Sequence, residues 1–278
     1  MAASGLRAAV RSFLFVGLTA ILVPPYLLAL PVSERLRRAI ARAWFRGACA
    51  LCSLRLSVRG APHAAQPTLL VANHVSYLDV PVLGALVDAT FVAKNEVAGW
   101  PVLGFLARLH DTIFIERSRS GAPRQCQTLG RRLAAGDTLL IFPEGTSSDG
   151  NRVLPFKSAL FGIAEHRSED ADLFVQPVSI AYTRYADGRP LIGETRALYA
   201  WYGEMTLLDH LLTVFGLDGA HVEVTFHEPL KASAFASRKE LAHRCHATVA
   251  EGVRAAHRRR IDASRPDPVP ASPAVRFP

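Results

Sequence analysis

Three short polar clusters each follow an apolar run of the kind that makes a strand. The first is Asn73-His74-Val75-Ser76-Tyr77-Leu78-Asp79. A histidine at a strand end can take a proton near neutral pH. A carboxylate five residues on can bond its other ring nitrogen, fixing the tautomer and stabilising the imidazolium. Five residues along a continuous helix lie about 140° apart, so His74 and Asp79 meet only if the chain turns between them. The second cluster is Phe142-Pro143-Glu144-Gly145-Thr146-Ser147-Ser148-Asp149-Gly150. Its small residues and hydroxyls can present backbone N–H groups to an anion. A buried Glu144 there can orient a basic residue or a substrate hydroxyl. The third is Thr112-Ile113-Phe114-Ile115-Glu116-Arg117. Arg117, ending a strand, can clamp a phosphate through two parallel hydrogen bonds. Each cluster has a bland counterpart: a capping Asp79 beside a structural histidine, a turn before a capped helix, a surface ion pair. Arg152 and Lys157 follow the second cluster and can add positive charge or simply flank a loop.

The elements that must position these clusters read as an α/β domain. Strands are predicted at Thr68–Ala72, Thr90–Ala93, Thr112–Ile115, Thr138–Phe142, Phe174–Tyr182 and Val222–Phe226. Helices are predicted at Asp79–Val87, Trp100–Leu109 and Pro123–Ala135. A further helix opens on a capping box, Ser237 with Glu240, and carries the stripe Leu241, Cys245, Val249, Val253 and Ala256. The expected fold is one globular domain with a mostly parallel or mixed sheet flanked by helices, preceded by a membrane-associated helical segment. In open sheets of this kind ligands bind at the carboxyl ends of the strands. That is where the three clusters fall. Trp100 to Leu106 is apolar and can line a groove or simply be core.

The N-terminal segment differs in composition. Phe13–Val32 is an uncharged run of 20 residues, about the length that crosses 30 Å of hydrocarbon as a helix. Pro24-Pro25 should kink or break it, giving a kinked span or two short helices dipping into one leaflet. A cleaved signal peptide is the alternative. From Ser33, a plausible N-cap, to Leu56 apolar residues recur at helical spacing, and Arg35, Arg38, Arg42 and Arg46 line another face. A basic amphipathic helix of this kind lies on an anionic membrane surface. The boundaries expected are an anchoring segment over 1–56, the main domain over 57–260, and a disordered Pro-rich tail over 261–278.

The whole chain has 278 residues, is half hydrophobic and carries a net charge of +8. That excludes a disordered chain. With only one apolar stretch of membrane length, it also excludes a multi-span transporter. Four cysteines imply no disulfide framework. Cys49-x2-Cys52 is half of a zinc pattern. His243 and Cys245 lie about 200° apart on their helix and cannot share an ion. No metal site is expected. Nucleic acid is not expected as a partner either, because aromatic residues are not interleaved with the arginine runs.

Taken together, His74 with Asp79, Ile113-Phe114-Ile115-Glu116-Arg117, Phe142-Pro143-Glu144-Gly145-Thr146 and Val175-Gln176-Pro177-Val178 resemble the four blocks of the glycerolipid acyltransferase family. That family includes the 1-acylglycerol-3-phosphate acyltransferases. The resemblance covers roughly Thr68 to Tyr182. One departure is visible: Asp111 and Thr112 stand where a glycine is often found before the second block.

The resemblance implies a set of roles. His74 would deprotonate the hydroxyl of a lysolipid, and Asp79 would hold and charge-balance His74. The oxygen would attack the thioester of an acyl donor, either acyl carrier protein or coenzyme A, with no further cofactor. Arg117, Glu144, Gly145 and Thr146 would hold the glycerol phosphate part. Pro177 would shape a wall of the site, and Asn73 and Lys157 are further possible contributors. No Gly-x-Ser-x-Gly elbow is present, so no covalent acyl-enzyme is implied. Lysophosphatidic acid is the first acceptor expected. Lyso-ornithine lipid, whose acceptor is a 3-hydroxy acyl chain without phosphate, is the alternative, and a membrane adaptor of the same fold is the non-enzymatic one. The donors place the catalytic body on the cytoplasmic side of a bacterial inner membrane.

Overall fold

The computed structural model describes residues 3–64, 68–100, 102–116, 122–165 and 173–262. Arg117 and the tail from 263 onward lie outside these. Two long helices open the chain, α1 (Gly5–Ala29) and α2 (Glu34–Leu51). Ser33 caps α2, its side chain accepting from the Leu36 N–H. Strands β1 (Leu54–Arg59) and β2 (Thr68–Ala72) follow, then α3 (Asp79–Gly84), β3 (Thr90–Lys94), α4 (Asn95–Ala98), α5 (Leu103–Leu109) and β4 (Ile113–Ile115). The second half runs α6 (Ala122–Ala134), β5 (Thr138–Ile141), a 3-10 helix (Ser158–Glu165), β6 (Phe174–Tyr185), α7 (Glu194–Ala197), α8 (Leu207–Gly216), β7 (Ala220–Phe226), β8 (Leu230–Lys231) and α9 (Arg238–Asp262).

Among the described residues the strands form one mixed sheet in the order β1-β7-β6-β2-β5-β3-β4, with β8 beside β6. β2 runs parallel to both neighbours, β5 and β6, whereas β6 and β7 are antiparallel. Each face of the sheet buries its own core. One core joins Phe45 of α2, Leu83 of α3, Tyr182 of β6 and Phe215 of α8. The other joins Leu129 of α6, Phe161 of the 3-10 helix and the α9 stripe through Leu241 and Cys245. The sheet is therefore the middle of three layers.

Three expectations need correction. The basic helix stops at Leu51 and does not reach Leu56, because Ser53 takes φ +51° and Leu54–Arg59 pair with β7 as a strand. The proline pair does not split α1, which runs on to Ala29 with both prolines inside it. Ile261 and Asp262 still belong to α9, so the Pro-rich tail starts later than 261. The absent glycine before the second block has a simple resolution. Asp111 itself takes φ +57°, a conformation aspartate tolerates better than most residues, and its carboxylate pairs with Arg132.

α1 and α2 form an antiparallel hairpin. Trp44 Nε1 donates to Thr19 Oγ1 (3.1 Å), and Phe15 packs edge-on against Trp44. Arg7 and Arg11 tie the start of α1 to the end of α8. Arg11 donates to the carbonyls of Phe215 (3.0 Å) and Leu217 (2.7 Å), and Arg7 pairs with Asp218. Helix-terminal carbonyls lack partners within their own helix, so arginines are apt ligands for them. The outward side of α1 carries Leu6, Phe13, Ile21 and Leu28, each more than 70% exposed. Its mean hydropathy reaches 1.9 over an 18-residue window, long and apolar enough for a membrane crossing by length and composition.

Candidate active site

The turn after β2 brings His74 and Asp79 together. The chain bends at Val75 and turns at Tyr77 and Leu78, so Asp79 enters α3 with its carboxylate pointing back. His74 Nδ1 lies 2.8 Å from Asp79 Oδ2. The same oxygen accepts from the N–H groups of Val75 (2.7 Å) and Ser76 (3.0 Å). Oδ1 accepts from the Tyr182 hydroxyl at 3.1 Å. Asp79 is fully buried, while His74 keeps about a fifth of its side chain exposed. With Nδ1 committed as donor to the carboxylate, Nε2 carries the lone pair. Burial and the neighbouring Asp79 hold the Tyr182 hydroxyl far above its ordinary pKa, so it stays protonated as a donor.

His74 is also held by one ring face and by its backbone. Phe142 stacks on its ring, with centroids 4.1 Å apart and planes within 17°. Its backbone N–H donates to Glu144 Oε1 (2.7 Å), and its carbonyl accepts from the Ser148 N–H (3.0 Å). Glu144 Oε2 accepts from the Leu154 N–H (2.8 Å). Both oxygens of Glu144 therefore clamp backbone. Burial pushes its pKa up to about 7, against the opposing pull of those two N–H donors. Gly145 takes φ +71° to close the tight turn beneath it.

The other anticipated residues spread around this turn. Asn73 reads the backbone of β6, donating to the Ile180 carbonyl (2.9 Å) and accepting from the Ile180 N–H (2.8 Å). Thr146 and Lys157 are exposed on the loop after β5, and the Lys157 N–H donates to the Pro143 carbonyl (2.9 Å). Pro177 is buried in β6 opposite Val71, and its carbonyl accepts from the His227 N–H. Arg117 lies outside the described residues. Cys49 and Cys52 are buried core residues whose thiols burial pushes up to about 12.

Sequence reasoning missed two contributors. Tyr182 was the last residue of a predicted strand, and its register was the available signal: Asn73 is bonded at Ile180, two residues away on the same face. Trp201 lies outside the blocks of the resemblance. Its N–H donates to the Val75 carbonyl (3.0 Å) and its carbonyl accepts from Ser147 Oγ. Its ring meets Tyr77 and Trp100 edge-on, with centroids 6.0 and 5.4 Å away. Trp100, Tyr77 and Trp201 thus make an aromatic wall beside the His74 turn.

The model of the family described as Acyltransferase matches residues 55–181. The lyso-ornithine lipid O-acyltransferase of Rhizobium meliloti is 40% identical over 239 residues, covering 84% of this chain and 82% of that protein. A 1-acyl-sn-glycerol-3-phosphate acyltransferase of Neisseria gonorrhoeae is 38% identical over 143 residues, covering 49% and 53%. Among solved structures, the 1-acyl-sn-glycerophosphate acyltransferase PlsC of Thermotoga maritima matches with a TM-score of 0.61 at 21% identity, over 89% of this chain and 97% of that one.

Proposed function

The chain belongs to the acyltransferase family, as an enzyme of the lysophospholipid type, and from that premise we propose that it acylates the 3-hydroxyl of a lyso-ornithine lipid. One observation carries the choice of acceptor. Similarity to the lyso-ornithine lipid enzymes extends well beyond the family block of residues 55–181. Similarity to the Neisseria enzyme covers only 143 residues. The region after Tyr182 supplies Trp201, which stands against the catalytic turn.

In this reading His74 Nε2 takes the proton of the acceptor hydroxyl as its oxygen attacks the thioester carbonyl. The C–S bond breaks, the departing thiolate recovers the proton, and the product is an oxygen ester and a free thiol. Asp79 stabilises the transient imidazolium, and Tyr182 and the Val75 and Ser76 N–H groups hold that carboxylate in place. Transfer from a thioester to an oxygen ester is downhill, so positioning and a base supply most of what is needed. Trp100, Tyr77 and Trp201 form the apolar side against which an acyl chain lies. The outward face of α1 rests in the lipid interface of a bacterial inner membrane, with the catalytic body on the cytoplasmic side.

Lysophosphatidic acid is the second reading, favoured by the hydroxyl- and glycine-rich loop after β5. An acyl-transfer assay offering both acceptors, with wild type beside His74→Ala, separates them. Strong transfer to the lyso-aminolipid, lost in the variant, is expected. Preferential transfer to lysophosphatidic acid would overturn the acceptor, and undiminished transfer by His74→Ala would overturn the mechanism.

A further inference from the structure

The register of the sheet sorts the arginines of its far edge. In β7, Val222 and Val224 point into the core shared with α2 and α8. His221, Glu223 and Thr225 therefore face the side covered by α9. Arg55 pairs with His221, and Arg59 with Thr225, so both arginines share that side. A bulge between Tyr182 and Arg184 turns Arg184 to it as well, opposite His221. α9 supplies Arg244, Arg254, Arg258 and Arg259. Between this edge and α9 runs a groove of about 450 Å³, lined by Arg59, Thr225, His227, Arg244, Glu251 and Arg259 among others.

The carboxylates here are already engaged. Glu223 is paired with Arg59 and Arg259, and Glu251 with Arg254 and Arg258. Arginines still outnumber them. Burial holds the His221 pKa below its usual value, and the charges of Arg55 and Arg184 add to that. α9 stands between the groove and the chemistry and touches both: on the face opposite the groove, His257 has Nε2 3.2 Å from the Gly150 carbonyl. Gly150 belongs to the loop whose Ser148 N–H holds the His74 carbonyl.

We propose that the arginine-rich face around this groove is the docking surface for an acidic acyl carrier protein, which delivers its thioester arm past α9 and over the 148–153 loop to His74. The proposal rests on the acyl-transfer reading above. Charge complementarity fits an acidic protein to this face. The sheet separates the groove from the apolar face of α1, so a bilayer meeting that face lies on the other side of the protein.

The test compares full-length wild type with Arg55→Glu/Arg244→Glu, which leaves the Glu223 and Glu251 ion pairs in place. Kinetics are measured in mixed vesicles with two donors, an acyl carrier protein thioester and an uncharged acyl-N-acetylcysteamine thioester. Binding of the unacylated carrier is measured separately. The expected result is a KM for the carrier thioester raised on the order of tenfold, with kcat and the neutral-donor kinetics unchanged. Carrier binding should weaken in parallel, and the salt dependence of that KM should flatten. Arg55→Gln/Arg244→Gln should fall between. Unchanged carrier KM and binding, or equal losses with both donors, would overturn the proposal. So would weakened vesicle binding with unaltered donor kinetics, which would assign the face to lipid. Failure of wild type to transfer from either donor would sink the acyl-transfer reading, while arginine-dependent carrier binding would still report on the surface.

Discussion

One side of the sheet meets its surroundings through α1 and α8, where Leu6, Phe13, Leu28, Leu208 and Leu212 are exposed. The other side, at the β1–β7 edge and α9, presents Arg55, Arg59, Arg244 and Arg254. A single strand serves both: β7 alternates Val222 and Val224 with His221, Glu223 and Thr225. The contrast shows that the net charge of +8 is shared between the two sides and not confined to the apolar one. Along the chain, arginines concentrate from Arg35 to Arg46, next to the apolar run. In the fold, Arg38 on that helix is held by Glu34 and Asp88. A second, larger concentration of arginine gathers from segments more than 180 residues apart.

The harshest trial of this division is His74→Ala. Turnover should fall by about 10²–10⁴-fold, while vesicle binding and carrier binding both persist. Loss of either binding would mean that the faces and the site are not separable. Next comes the apolar face itself. Phe13→Ala with Leu28→Ala should lower partition into vesicles by about ten- to a hundredfold per side chain, from about 1.5–3 kcal/mol each. Transfer to detergent-dispersed acceptor should be unaffected. A smaller effect is expected of Tyr182→Phe, which removes a donor from a buried carboxylate and should cost roughly 1.5–3 kcal/mol of stability. Denaturant unfolding checks it, and an unchanged midpoint would mean that the hydroxyl does not hold Asp79.

The last effect is a slope. Glu144 has a folded pKa of about 7, above its ordinary 4.5. The native state thus binds the proton more tightly, and stability from this group is complete below about pH 4.5 and lost as pH rises through 7. Thermal unfolding across that window should show the decline in wild type, and Glu144→Gln should lack it.

Much of the site was legible because its chemistry is local. His74 and Asp79 are five residues apart, and only the intervening turn had to be supplied by the fold. The strands around it were legible where apolar runs are bounded by polar clusters. β1 was not, because Leu51 and Leu54 continue the helical spacing of α2; the break comes from Ser53 and from pairing with a strand some 160 residues later. α8 was hidden for a similar reason. Its N-cap residue, Thr206, makes no capping bond from its side chain, and its apolar residues are shared between the core and the α1 face. Tyr182 and Trp201 reach the site only through tertiary contacts, which one-dimensional spacing does not encode.

The tie between α1 and α8 has a practical consequence. Phe15 of α1 stacks against both Trp44 and Phe215, and Ala8 and Phe15 pack on the main core. The anchor is thus a wall of the enzyme as well as its mooring. Truncation before Ser33 would not release a water-soluble catalyst; it would strip Phe215 and Trp44 of their cover and leave the carbonyls at the end of α8 without Arg11.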